Sequence, residues 1–309
     1  MITSLFRKST PLNYAFIIIA VGVFYFLYQF GHISTGNGLV GFAQQIGLLV
    51  VIYASFFIVN FIVKKNHISR DSSYAALFFL LFILFFPSIL DDPNMVLANF
   101  FILLALRRLI SLHSPKASKE KIFDASLWIF VAALFHFWAI LFIVLVFISI
   151  IFHVSRDYRN WVLPFIAFFT SAAAFLLYAF VFDDTLIADL IAKTQTNFAL
   201  DYFTSNRQNV ALSIYTAIAL YFVGSMVLSL SNRPLQLQSS YKKIIASFFI
   251  GVIIFVISPV KSNDVLIFTI APLTFMANAQ VEFGSERLKE DITLTIVIIC
   301  SVYLFFSQL

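Results

Sequence analysis

The chain has 309 residues, 61% of them hydrophobic and only 11% charged, with 40 phenylalanines and a net charge of +5. This balance is too apolar for a water-soluble surface and suits helices that face lipid. At roughly 20 residues per span, short turns use up the chain, which excludes a separate nucleotide-binding or receptor domain. The prediction is one transmembrane domain over 1–309, an all-α polytopic helical bundle. Basic residues at the cytoplasmic ends of spans are what membrane insertion selects, so the positive charge does not predict a nucleic-acid partner. The single cysteine, Cys300, lies in the last apolar run and predicts neither a disulfide framework nor a cysteine metal site.

Apolar runs lie near 13–30, 39–63, 73–90, 94–112, 125–153, 161–182, 209–230, 244–260, 264–280 and 291–308. The first follows Arg7 and Lys8 without a small-residue cleavage pattern in 28–34, and is read as a retained signal anchor. The run 125–153 is long for one span and short for two, and the sides of all later loops depend on that choice. A hairpin of two short helices turning near Phe135 to Trp138 leaves only Lys193, Arg207 and Lys261 of the 20 basic residues outside. A single long span would put seven outside, a poorer fit to the positive-inside tendency. The hairpin therefore predicts about eleven membrane segments, a cytoplasmic N-terminus and an external C-terminus. The same arrangement gathers Asp91, Asp92, Asp183, Asp184, Asp189, Asp201 and Asp264 on the external side.

The segment Ser88-Ile89-Leu90-Asp91-Asp92-Pro93-Asn94 holds the leading candidates. Carboxylates at that depth are costly unless they face water, a cation or a partner. Asp91 or Asp92 is read as a general base for an acceptor hydroxyl, or as an oxygen ligand of a divalent cation, magnesium or manganese. The bland alternative makes Asp92 an N-cap with Pro93 at the first helical position. His136 falls at the predicted hairpin turn and reads first as a packed histidine, with substrate contact as the alternative.

The external loop 183–208 starts at Asp183 and Asp184. Its Leu186, Ile187, Leu190 and Ile191 are spaced for one face of an amphipathic helix on the membrane surface. A helix cap at Asp184 or Thr185 is the simpler account of the acids there. Arg207 enters the next span from the outside, where positive-inside bias does not explain it; it can bind a phosphate bidentately or pair with an external aspartate. Lys261, in the short turn that also holds Asp264, either complements the end of the preceding helix or meets a lipid phosphate. Asn263 or Asp264 is read as the cap of the following helix.

No P-loop, no Cys or His metal spacing and no glycine-rich dinucleotide turn occurs, so ATP-driven transport by this chain alone is excluded. With Asp91 and Asp92, a mid-chain short-helix hairpin over 125–153, and a late external Lys261 followed by Pro272, the layout resembles the GT-C superfamily of multi-pass glycosyltransferases. That resemblance implies transfer of a sugar from a polyprenyl-phosphate carrier to a protein or glycan acceptor on the external face. Asp91 or Asp92 would be catalytic, with Arg207 and Lys261 on the lipid phosphate and Asp264, Asp183, Asp184 and His136 near the substrate. It departs from the family pattern in the loop 31–38, which carries no carboxylate. The chain also resembles Phe-rich multi-pass proteins of the Bacteroidota, which implies a bacterial inner membrane. Apart from the divalent cation, no cofactor is expected. The rival readings are a secondary transporter or lipid flippase, and a non-catalytic subunit of an envelope complex.

Overall fold

Backbone groups in hydrocarbon have no water to bond, so each segment must close its own hydrogen bonds, and every regular element among the described residues is helical. The computed structural model describes residues 5–31, 39–69, 71–114, 116–183, 185–198, 205–259, 261–284 and 286–309. In chain order the α-helices are α1 (Pro11–Gly31), α2 (Leu39–Lys65), α3 (Tyr74–Ile83), α4 (Pro93–Ile110), α5 (Ser118–Phe135), α6 (Ile143–His153), α7 (Arg159–Phe182), α8 (Thr185–Ala192), α9 (Asn206–Ser229), α10 (Leu235–Ile257), α11 (Ile267–Phe283) and α12 (Arg287–Gln308). Among the described residues eight helical stretches are long and apolar enough to cross a membrane.

Two predicted runs depart from that length. The run 73–90 is not one helix: α3 stops after ten residues and a 3₁₀ turn covers Pro87–Asp91. Pro87 is the cause, since its ring disfavours helical geometry in the residue before it, and Phe86 is correspondingly at φ −132°, ψ 75°. The run 125–153 breaks at His136, which is extended at φ −132°, ψ 105° and is followed by a 3₁₀ turn over Phe137–Phe142. The chain reverses there. Lys119 at the start of α5 pairs at 3.1 Å with Asp157, just beyond α6, so both arms open at the same end of the bundle.

That end is basic. Lys121 donates to the Ser111 and Ser114 carbonyls, Arg108 pairs with Asp124 at 2.8 Å, and the ammonium of Lys243 is fully buried on the Leu109 carbonyl (2.6 Å) and His153 Nε2 (3.2 Å). The opposite end collects Gln29, Gln45, Ser88, Leu90, Gln208 and Asp264 through the bonds described below.

α11 is the core of the fold, with 14 of its 17 residues buried. α7, in contrast, buries only Asn160, Pro164, Ala167 and Ala179 and turns its phenylalanines outward. Association of helices in lipid depends on close packing more than on apolar burial, and the contact of α10 with α11 shows it. A Cβ on Gly251 would lie 2.8 Å from Thr269 Cγ2 and 3.1 to 3.2 Å from the backbone of Phe268. Around α11, Tyr215 donates to or accepts from Thr269 Oγ1 at 2.6 Å, and its ring meets Phe82, Phe85 and Phe86 edge-on.

Gly251→Ala is expected to force α10 off α11 and cost about 1–3 kcal/mol, whereas Gly224→Ala, which meets nothing within 4 Å, is expected to leave stability unchanged or slightly raised. Thermal unfolding of the two variants in detergent checks this; equal melting temperatures would refute the tight α10–α11 contact.

A candidate site at the acidic end

The acidic end is built around Pro93. Proline suits the first position of a helix because its missing N–H would be unbonded there anyway, and it places Asp92 at the N-cap of α4. The Asp92 carboxylate accepts from the amides of Asn94 (3.0 Å) and Met95 (3.1 Å). Asp91, one residue earlier at the end of the 3₁₀ turn, is exposed and has no hydrogen bond or ion pair among the described residues. Of the two adjacent carboxylates, one is consumed by the backbone and one is left available.

Hydrogen bonds draw four other parts of the chain to this turn. Ser88 donates to the carboxylate of Asp264, which the 3₁₀ turn Asn263–Leu266 holds at the head of α11. Asn263 donates to the Gln208 carbonyl at 3.2 Å, next to Arg207 at the start of α9. From α1, Gln29 donates to the Leu90 carbonyl at 3.1 Å, and Gln45 of α2 donates to Gln29 Oε1 at 3.0 Å. Tyr25 donates to the Gln45 carbonyl at 2.7 Å. The stretches 88–92, 207–208 and 261–264, far apart in sequence, thus meet at one end.

Beside them runs a groove of about 380 Å³ between α2 and the start of α4, with Gln44, Gln45, Leu48, Val51, Asp91 and Leu97 in its walls. Among the described residues Asp91 is the one charged side chain there. A mostly apolar wall with an amide and a carboxylate group at its head can take a chain-like apolar molecule with a polar terminus.

The other predicted residues are placed as follows. Arg207 is exposed and has no ion pair among the described residues. Lys261 is buried at 8% exposure, just before the turn that holds Asp264. His136 is buried with its ring 5.6 Å from that of Phe268, one helical turn from Asp264, and its Nε2 has no partner among the described residues. The segment after α8 lies over this turn, since Trp138 donates to the Gln195 carbonyl at 3.2 Å and the Asn197 amide to Ile257 O at 3.4 Å.

The Asp183 carboxylate accepts from both the Thr185 hydroxyl (2.6 Å) and amide (3.0 Å) at the start of α8, and the expected cap at Asp184 falls outside the described residues. Those hydrogen bonds hold the Asp183 carboxyl below the usual aspartate range. That carboxylate is turned to its own helix, and no described contact links it to the cluster around Asp91. Asp184 and Asp201 lie outside the described residues.

Among the described residues no three His, Cys, Asp or Glu side chains lie together in a way that could hold a metal ion. In Asp92 it is the oxygen Oδ1 that is committed to the two backbone amides. Sequence reading passed over Tyr25, Gln29 and Gln45, although polar side chains within apolar runs are themselves a signal of internal bonding or function.

Helix lengths and composition make the chain a multi-pass membrane protein. No known family model matches it, and neither does any curated protein or solved structure.

Asp92→Ala is expected to lower stability by about 1 kcal/mol through loss of the α4 cap, while Asp91→Asn leaves it unchanged. Denaturation of both variants in detergent separates the roles, and equal losses would show that Asp91 is also structural.

Proposed function

We propose that the chain is a membrane transferase that moves a sugar from a polyprenyl-phosphate carrier to a protein or glycan hydroxyl at the outer face of a bacterial inner membrane. In this reading the acidic end is external, the N-terminus is cytoplasmic, the C-terminus is external, and about eleven segments lie in the membrane, the two arms of the 118–153 hairpin among them. The clustering of Lys119, Lys121, Arg108 and Lys243 at the opposite end supports that orientation.

One observation carries the proposal: Asp91 is a carboxylate with no partner among the described residues, at the head of an apolar groove. The prenyl chain lies along Leu48, Val51 and Leu97, and the Gln44 amide bonds the polar head. Asp91 accepts the proton of the acceptor hydroxyl, whose oxygen forms a bond to the anomeric carbon. The bond from that carbon to the phosphate oxygen breaks, and the electron pair leaves with the polyprenyl phosphate. Arg207, exposed at the same end, meets the phosphate charge that grows in this step. No step is routed through a metal. A mid-membrane proton relay is less well supported, because the ionisable groups lie at the two ends of the bundle and the middle of α11 offers only Thr274 and Asn278.

The test uses the full chain in liposomes with a polyprenyl-phosphate-linked hexose and an acceptor mixture from envelope extract. Wild type is expected to transfer label, Asp91→Asn to lose roughly 10²–10⁴-fold, the usual contribution of a general base, and Asp157→Asn at the basic end to transfer normally. Full activity of Asp91→Asn would remove the base assignment, and no transfer by wild type would remove the transferase reading.

A further inference from the structure

At the basic end, α9, α10, α11 and α12 part to leave a cavity of about 620 Å³, larger than the groove at Asp91. Its walls carry Arg233, Lys289, Glu286, Glu290, Gln280 and Ser225. The sequence makes Arg233 the residue between two helices. It follows the 3₁₀ turn Leu230–Asn232 that ends α9, is extended at φ −85°, ψ 151°, and precedes Pro234, the N-cap of α10.

The side chain of Arg233 is held by aromatic faces rather than by charge. Its guanidinium carbon lies 4.7 Å from the Phe283 ring centre and 5.7 Å from that of Tyr241. Its one hydrogen bond among the described residues is long, from Nη2 to the Ala279 carbonyl at 3.3 Å. Its Nε is buried without an acceptor, and among the described residues no carboxylate forms an ion pair with it. The other groups in the wall have closer partners: Lys289 pairs with Glu286 at 2.8 Å, and Ser225 donates to Gln280. A guanidinium kept planar between two rings, with its charge unneutralised, is the arrangement that recognises two oxygens of a phosphate.

The acidic part of the wall limits which phosphate fits. Gly284 allows the Glu290 carboxylate close in, since a Cβ there would lie 2.4 Å from Glu290 Oε1 and 3.0 Å from the Gln280 carbonyl. Glu286 is paired with Lys289, so the acid that a ligand on Arg233 meets is Glu290, whose Oε1 has no hydrogen bond among the described residues and whose charge disfavours a polyphosphate or a nucleic acid. It suits a phosphodiester with one negative charge that also carries an ammonium group.

We propose that this cavity binds a zwitterionic phosphodiester headgroup, with Arg233 on the phosphate and Glu290 facing the amine. The site is at the opposite end from Asp91 and does not depend on the sugar-transfer reading. The headgroup can belong to a membrane lipid or to a free glycerophosphodiester, which share this chemistry.

Native mass spectrometry of the full-length protein in detergent tests it with phosphatidylethanolamine, phosphatidylglycerol, diacylglycerol and free glycerophosphoethanolamine as probes. Wild type is expected to retain phosphatidylethanolamine at least tenfold better than diacylglycerol and better than phosphatidylglycerol, and Arg233→Gln to lose that preference. Gly284→Ala, which displaces Glu290, is expected to narrow the gap between the two phospholipids. Competition by glycerophosphoethanolamine would show that the headgroup alone is the ligand, and lack of competition with lipid retained would assign the site to the lipid. Equal retention of phosphatidylethanolamine and diacylglycerol by wild type would overturn the proposal, and so would equal retention of the two phospholipids or unchanged retention in a folded Arg233→Gln. Should Arg233→Gln not fold, the wild-type comparison alone decides.

Discussion

The structure depends on α11 being surrounded by protein while the helices around it meet lipid. Water drives apolar faces together, but hydrocarbon does not, so a helix in the middle of a membrane bundle must be held by fit and by polar bonds. α11 meets this with small residues, Ala271, Ala277 and Ala279, which let neighbours come close, and with Thr269, which Tyr215 reaches from α9. An interhelical bond of that kind is worth about 0.6 kcal/mol in a bilayer. The ring contacts of Tyr215 with Phe82, Phe85 and Phe86 add about 0.5–1.5 kcal/mol each. The central helix has the lowest mean hydropathy of the eight long ones, as expected of a segment that need not dissolve in lipid.

Both candidate sites hang on that helix. Asp264 stands at its head and binds Ser88, which fixes the turn that presents Asp91. At its other end Gln280, Phe283 and the Ala279 carbonyl shape the cavity around Arg233. A rigid, fully packed element is a good base for groups that must hold position, and the short 3₁₀ turns on either side of it supply the departures from helical geometry that functional groups need.

Much of the acidic end was legible in the sequence. Counting lysines and arginines favoured a reversal near Phe135 to Trp138, and the chain does reverse at His136, because the count reports the side of each loop directly. The cap at Asp92 could also be read, since Asp-Pro carries its own geometry. What could not be read was burial within the basic end. Lys243 and Arg233 served in the sequence as markers of sidedness alone, yet one is sealed onto the Leu109 carbonyl and the other lies between two rings. Their surroundings come from α4, α6 and α11, and nothing in the local pattern of α10 names those neighbours. The burial of Lys261 was hidden in the same way: a short turn predicts a place near the membrane surface, but not that the chain covers it. For α3, hydropathy read straight through Pro87, because apolar character says nothing about where a backbone can remain helical.

The pair Asp91 and Asp92 shows how one backbone constraint divides two identical side chains. Pro93 fixes the first turn of α4, and the free amides of that turn then take the carboxylate immediately before it. A carboxylate bound to two amides is stabilised where it is, and removing it damages the helix. Asp91 has no such compensation, although it stands where ionised groups are expensive. Nearby, Gln29 and Gln45 spend their amides on Leu90 and on each other, and Ser88 spends its hydroxyl on Asp264. None of these bonds among the described residues includes the Asp91 carboxylate. Among the described residues Asp91 has neither a hydrogen bond nor an ion pair, and it stands at the head of an apolar groove, which is why the proposed transfer places the acceptor hydroxyl on it.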